Sequence, residues 1–305
     1  MKVLISGGSG FIGRALAYEL KAHNYNLTIL TRDKSNIKGL NNNVLEIIEY
    51  SDITSQSNQH KNYDVVINLA GASIGAGRWT KKRKDVILMS RLDSTRFIID
   101  AINKKLLEPK LLINASAIGY YGNRGNELLD ESSDKGVGFL SDVCQKWEDA
   151  ASELNNPKIR LAHLRTGLVL GKGGALDKLI LPYKLFAGGN MGSGKQWVSW
   201  IHIKDVAGII RHIIENKDIE GPVNIVSPEA VQMKDLQKTI GKIMRRPYWL
   251  TAPAFALRLI LGEMADIVLT SQKVTPDKLK KSGYKFLYPD LTKALTEAIS
   301  QYRSK

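Results

Sequence analysis

The stretch Ser6–Gly13, SGGSGFIG, constrains this chain more than any other. It follows an apolar run, Lys2–Ser6 (KVLIS), that reads as a buried strand. It opens a segment, Phe11–His23, in which Ile12, Leu16 and Leu20 recur on one helical face. A GxxGxxG pattern alone is a weak signal, but a strand before it and a helix after it supply the context a phosphate cradle needs. Gly7 lets the chain turn sharply from strand to helix. Gly10 removes a side chain where a pyrophosphate approaches the backbone, and Gly13 lets the helix lie close to the sheet. The amides of the helix start, at Phe11 and Ile12, and the positive end of its dipole then face the phosphates. The alternative is a turn that holds no ligand.

The end of the second strand, Asn26–Thr31 (NLTILT), selects the cofactor. An acid about 20 residues beyond the glycines takes the ribose 2′-hydroxyl in NAD-binding chains. Here Thr31 and Arg32 come first, and Asp33 arrives late. An arginine at this place holds a 2′-phosphate through charge-assisted hydrogen bonds. NADP is therefore expected over NAD, with Thr31 and Arg32 at its adenosine end. The competing reading leaves Arg32 on the surface and bends Asp33 back to the ribose.

Further strands are expected at Val44–Tyr50, Tyr63–Asn68, Lys110–Ala115 and Ile159–Arg165. Helices are expected at Lys81–Lys104, with Val86, Met89, Leu92, Thr95, Phe97 and Ile98 facing inward, and at Phe139–Leu154. This alternation predicts an α/β fold, a Rossmann-type, doubly wound parallel sheet. Beyond Gly167, glycine-rich breaks precede helices near Asp205, at Lys234–Met244 and at Leu291–Tyr302. The division expected is a Rossmann domain over 1–170, to which 198–226 return, and a smaller mixed C-terminal domain from 171–197 and 227–305.

Lys and Arg number 44 against 30 Asp and Glu, a formal charge of +14, but the excess is spread along the chain. No nucleic-acid motif accompanies it, so a basic solvated surface and a small-molecule substrate are expected rather than a nucleic acid. One cysteine, Cys144, excludes an intrachain disulfide and a cysteine-based zinc site. His23, His60, His163 and His212 have no metal-ligand spacing, and no metal is expected. No apolar run approaches the roughly 20 residues that span a bilayer. The start MKVLISGGSG is not a signal peptide, and a cytoplasmic protein without membrane contacts is expected.

Together SGGSGFIG, NLAG (68–71), ASAIGYYG (115–122), LRTGLVLG (164–171) and WIHIKDVAG (200–208) resemble the short-chain dehydrogenase/reductase superfamily in its extended, epimerase-like branch. GPVNIVSPE (221–229), PAFALRLILGEMA (253–265) and GYKFLYPDL (283–291) are similar to the epimerase-like subgroup with its own small C-terminal domain. The resemblance spans essentially the whole chain. It implies cofactor contacts from Leu69, Ala70 and Gly71, and from Arg91 and Leu168. It implies an oxidoreductase or isomerase acting on a small molecule, with a nucleotide sugar as the family's example.

The catalytic pattern of the wider superfamily, Tyr-x-x-x-Lys, is missing. In GFLSDVCQKWEDAA (138–151), Asp142 stands four places before Lys146. Aligning Glu148 with the acid that follows the pair puts Leu140 and Cys144 at the catalytic positions. The serine position after the fifth strand holds Ala117. Ser116 and Tyr121 are the substitutes the sequence offers, with Tyr120 a third. Tyr121 is equally readable as a packing residue. A catalytically inactive NADP-binding sensor or scaffold therefore stays open beside the enzyme.

Overall fold

A computed structural model describes residues 1–37, 46–55 and 62–302. The chain begins with β1 (Lys2–Ser6), α1 (Phe11–Ala22) and β2 (Asn26–Thr31), then β3 (Glu46–Glu49), α2 (Tyr50–Thr54) and β4 (Val65–Asn68). Next come α3 (Lys81–Asn103), β5 (Leu111–Ala117), β6 (Leu128–Leu129), α4 (Phe139–Ser152), β7 (Arg160–Thr166) and β8 (Leu168–Leu170). The second half has α5 (Leu176–Lys184), β9 (Gly189–Met191), β10 (Trp197–Val198), β11 (Trp200–His202), α6 (Ile203–Glu215), β12 (Gly221–Ile225) and β13 (Val231–Gln232). It ends with α7 (Met233–Met244), β14 (Leu250–Ala252), α8 (Ala254–Leu261), α9 (Asp266–Leu269), β15 (Lys273–Val274), α10 (Asp277–Lys281) and α11 (Leu291–Ser300).

Seven strands make one sheet in the order β12-β7-β5-β4-β1-β2-β3, every pair parallel. Such strands are covered on both faces, which is why they read as unbroken apolar runs. On one face α1 and α6 pack together over the sheet, with Leu16, Ala17, Leu20, Ile209, Ile210 and Ile213 buried. On the other, Ile98, Ile99 and Ile102 of α3 cover Leu4, Val66 and Leu112. Each such side chain contributes about 1.5–3 kcal/mol by leaving water. The sequence order runs outward from β1 in both directions, so the sheet is doubly wound, as expected.

A smaller region gathers α5, α7 and α11 in a third core around Trp200 and Tyr183, beside four two-stranded sheets among the described residues. The segment around α6 and β12 lies with the first core, and Leu279 of α10 also joins it.

Some expectations differ from the structure. The strand expected over Val44–Tyr50 is Glu46–Glu49; Val44 and Leu45, like His60, lie outside the described residues, and Tyr50 starts α2. Val86 and Met89 of α3 face solvent, each 42% exposed. The buried stripe passes through Ile87, Thr95, Ile98 and Ile102 instead, and Arg91 interrupts it. α5 and α8 had no sequence signal assigned to them. Among the described residues no helix is long and apolar enough to cross a membrane.

Candidate functional site

The winding direction changes between β1 and β4, so the crevice beyond the C-terminal ends of these strands is where a doubly wound sheet takes a ligand. The pairing register sets Ser6, Asn68 and Asn114 side by side at that edge. Two loops leave it in contact, SGGSG from β1 and LAG from β4.

Gly7 sits at φ +77°, and a Cβ there would lie 2.7 Å from the Leu69 carbonyl carbon and 2.8 Å from the Ala70 nitrogen. No other residue type fits that turn. A Cβ on Gly13 would lie 2.5 Å from the Gly7 oxygen, so α1 also needs glycine to approach its own loop. Gly10 differs: its Cβ would meet only the Gly7 oxygen, at 3.2 Å. Its bareness serves the space outside the loop, not the packing within it. Gly10 is the N-cap of α1 and no side chain caps the helix. The first helical bond runs from the Arg14 amide to the Gly10 carbonyl at 3.0 Å, so the amides of Phe11, Ile12 and Gly13 lack helical partners. This cradle fits a pyrophosphate in shape and in the sign of its dipole.

Phe11 closes one side. A Cβ on Gly174 would lie 2.6 Å from its ring, and one on Gly171 2.9 Å away, so the loop between β8 and α5 lies on it. Leu168, which opens β8, is half-buried and packs with the third core rather than with the glycines. The LAG turn is held from beneath. Asn68 is buried; its Nδ2 donates to Thr95 Oγ1 at 2.9 Å and to Asn114 Oδ1 at 2.8 Å, and its Oδ1 accepts from the Ala70 amide at 3.3 Å. Gly71 lies against Arg91. The Arg91 guanidinium donates to the carbonyls of Ala72 and Ile87 at 3.1 and 2.8 Å and lies 4.9 Å from the Trp147 ring. Burial, and then the charge of Arg83, hold Arg91 below the ordinary arginine value.

At the end of β2, Arg32 is exposed and makes no hydrogen bond or ion pair among the described residues. Asp33 is employed locally: its Oδ1 accepts from the Ser35 amide at 2.8 Å and the Ser35 hydroxyl at 2.6 Å, capping a single helical turn. Thr31 exchanges hydrogen bonds with the Asp33 backbone.

The C-terminal end of β5 is a closed side-chain network. Glu148 of α4 takes both arms of Arg165, at 2.9 and 2.8 Å, and accepts from Ser116 Oγ at 2.6 Å. Arg165 also donates to the Tyr121 hydroxyl at 3.0 Å, which donates to Asn224 Oδ1 at 2.8 Å. The structure thus joins Ser116 and Tyr121 through Glu148 and Arg165. Tyr121 is fully buried, and burial raises its phenol to about 12. Tyr120 is half-buried, with the Arg165 guanidinium 3.5 Å from its ring.

Leu140 and Cys144, which the alignment on Glu148 puts at the positions of the tyrosine–lysine pair, lie against Gly119: a Cβ there would meet Leu140 Cβ at 3.2 Å and Cys144 Sγ at 3.5 Å. Cys144 is buried and its thiol is raised to about 11, so it is neither a nucleophile nor a proton shuttle near neutrality. Lys146 is exposed.

Elsewhere, His202 is buried and bonds Glu297 at 2.7 Å. Trp197 donates to Asn126, and Trp200 lies in the third core. No group of His, Cys, Asp and Glu among the described residues could hold a metal. Sequence reading missed Glu148, Arg165, Asn224 and Arg83 as site residues. Arg91 had a visible signal, a charge within an apolar stripe.

Residues 3–137 match the NAD dependent epimerase/dehydratase family, and residues 252–298 match a domain of unknown function, DUF1731. The chain is 39% identical over 305 residues to epimerase family protein YfhF of Bacillus subtilis, covering all of both chains. It is 38% identical to the chloroplastic epimerase family protein SDR39U1 homolog of Arabidopsis thaliana, over 97% of this chain and 86% of that one. The human epimerase family protein SDR39U1, solved with NADPH, superposes with a TM-score of 0.89 at 32% identity, over 98% of this chain and 99% of that one. MoeE5, solved with UDP-glucose and NAD, shares the fold at a TM-score of 0.77 and 19% identity, over 99% of each chain.

Proposed function

The chain belongs to the epimerase family, and from that premise we propose that it binds NADP and serves as an oxidoreductase or isomerase for a small molecule, without the Tyr-x-x-x-Lys pair. The observation that carries the cofactor choice is the contrast at the end of β2. Arg32 is exposed without a partner among the described residues, while the Asp33 carboxylate already caps the turn after it. A phosphate suits the first and a ribose hydroxyl has lost the second. The human relative solved with NADPH supports the same choice.

In this reading Gly7, Gly10 and Gly13 shape the cradle, and the free amides of Phe11, Ile12 and Gly13 receive the pyrophosphate. Thr31 and Arg32 take the adenosine end. Leu69, Ala70 and Gly71 line the middle, Arg91 fixes that loop, and Leu168 supports the far wall. When bound, NADP supplies hydride transfer. Ser116 and Tyr121 act as positioning residues: with Glu148, Arg165 and Asn224 they hold the end of β5 rigid. A phenol raised to about 12 and already hydrogen-bonded is a poor proton donor near neutral pH. A cytoplasmic location agrees with the single buried thiol.

One observation favours a second reading, an NADP-binding sensor without turnover. On the alignment that uses Glu148, Leu140 and Cys144 stand at the two catalytic positions and neither moves protons; on the other, Asp142 stands where the tyrosine would be.

Fluorescence titration with NADPH and NADH tests the cofactor choice. NADPH should bind at least tenfold more tightly, and Arg32→Ala should remove that preference while leaving NADH unchanged. Equal affinity in the parent protein would overturn it. Absorbance change with small carbonyl substrates separates the enzyme from the sensor.

A further inference from the structure

The loop that follows LAG, residues 72–78, is held by cations that meet backbone carbonyls instead of carboxylates. Arg83 donates to the Ser73 carbonyl, Arg91 to that of Ala72, Lys178 to that of Gly75, and Arg78 to that of Leu259. None of these four makes an ion pair among the described residues. Arg83 also buries its Nε without a partner. Glu263, the acid beside Arg78, is paired with Lys84, and the charge of Arg83 acts against that of Arg91, so an anion at Arg83 relieves a repulsion the carbonyls do not.

Beside this cluster runs an apolar strip. Ile74, Leu88, Phe139, Leu140 and Met264 are half-buried around Trp79, Ile87 and Val143. The strip begins at Leu140, next to Gly119 in the turn after β5, and reaches Met264, just beyond α8. There Phe255, Leu259 and Ile260 stand 74%, 76% and 67% exposed, and α8 has no buried residue. A sugar ring requires donors and acceptors for its hydroxyls, and a surface of leucine, phenylalanine and methionine leaves them unpaired.

Resting on the NADP-binding reading above, we propose that the substrate is an amphiphilic anion rather than a nucleotide sugar: a carboxylate or phosphate held by Arg83 in the field of Arg91, and a hydrocarbon skeleton along Ile74, Phe139, Leu140 and Met264. Arg83 Nη2 is taken by the Ser73 carbonyl and Nε is buried, so Nη1, which has no hydrogen bond among the described residues, donates to the oxyanion, and the strip supplies burial without polar cost.

The test uses the full chain loaded with NADPH and, in parallel, without it. Decanoate, decyl phosphate, decanol, inorganic phosphate and UDP-glucose are titrated by calorimetry below micelle-forming concentrations. Decanoate and decyl phosphate should bind at least tenfold more tightly than decanol or inorganic phosphate, with UDP-glucose weaker than either. Arg83→Gln should cut decanoate affinity at least tenfold and leave decanol and NADPH unchanged. Arg83→Lys should restore part of it, and Lys82→Gln, which removes the same charge nearby, should change nothing. Leu140→Asn should weaken decanoate and decanol together. Tighter binding of UDP-glucose than of decanoate overturns the proposal. So does a decanoate-to-decanol ratio untouched by Arg83→Gln, or retention on anionic vesicles without binding of monomeric decanoate. Loss of the NADPH titration alone strikes the cofactor reading, because the cofactor-free series still reports on the strip.

Discussion

At the end of β1 the chain offers backbone: bare glycines, uncapped amides and a turn that only Gly7 can make. At the end of β5 it offers side chains that are already bound to one another, Ser116, Glu148, Arg165, Tyr121 and Asn224. The first region is open and unsatisfied, as a binding site must be. The second is closed and satisfied, as a support must be. In a dehydrogenase with the tyrosine–lysine pair the β5 end would also carry open groups. Here only the cofactor end keeps that character.

The contrast breaks most sharply at Glu148. Glu148→Ala leaves the buried Arg165 without its counter-charge and Ser116 without its acceptor, and should cost about 3–5 kcal/mol in urea unfolding. The double change Glu148→Leu with Arg165→Met should recover most of that loss, because it removes both charges. NADPH affinity of folded Glu148→Ala should stay within a few-fold of the parent. A cost below about 1 kcal/mol would mean the pair is solvated, in the manner of an exposed ion pair, and the β5 end is not a closed support.

The cradle comes next. Gly7→Val forces a branched side chain into positive φ and onto the Leu69–Ala70 backbone, and should cost about 2–4 kcal/mol and abolish NADPH binding. Gly10→Ala separates the two uses of glycine. Its Cβ has room within the loop, so stability should change by less than about 1 kcal/mol while NADPH affinity falls at least tenfold. Loss of fold in Gly10→Ala would make that glycine a packing residue like Gly13.

The same contrast explains what sequence could reveal. Gly7 and Gly13 are legible because a steric demand of the backbone admits one residue type, and β1 and α1 flank them without gaps. Arg32 is legible because its place follows by counting from the glycines. The β5 network is not, since Ser116, Glu148, Arg165 and Asn224 meet only through the order of strands β5, β7 and β12. Val86 and Met89 mislead for a related reason: hydrophobicity placed them inward, whereas the buried stripe runs through Ile87, Thr95, Ile98 and Ile102, of which Ile98 and Ile102 meet the sheet. α8 carries no sequence expectation: AFALRLIL is apolar apart from Arg258, yet none of it is buried, and its Leu259 carbonyl meets Arg78.

The smallest expected effect tests how dry the support is. His163 of β7 lies on the same strand face as Arg165, among Glu148 and Asp149 of α4 and Lys278 of α10, with its Nδ1 buried and unpartnered. Burial holds its imidazole below the ordinary value of 6.5. The unfolded chain therefore takes up a proton first as pH falls. Stability is full above about pH 6.5 and declines below it, by at most about 1.4 kcal/mol per pH unit from this group. His202 and His212, also lowered mainly by burial, add to the same slope. Glu131 and Asp205, raised by burial, act with the opposite sign from the ordinary carboxylate values upward. His163→Leu should flatten the decline between pH 6.5 and 5.5 in urea unfolding. It should also cost nothing at pH 7.5, because it removes an unpaired buried nitrogen along with the titration. An unchanged slope in His163→Leu would mean that the imidazole charges freely in place. The Glu148–Arg165 pair beside it would then lie in a wetter setting than the β5 end requires, and the cost forecast for Glu148→Ala would fall with it.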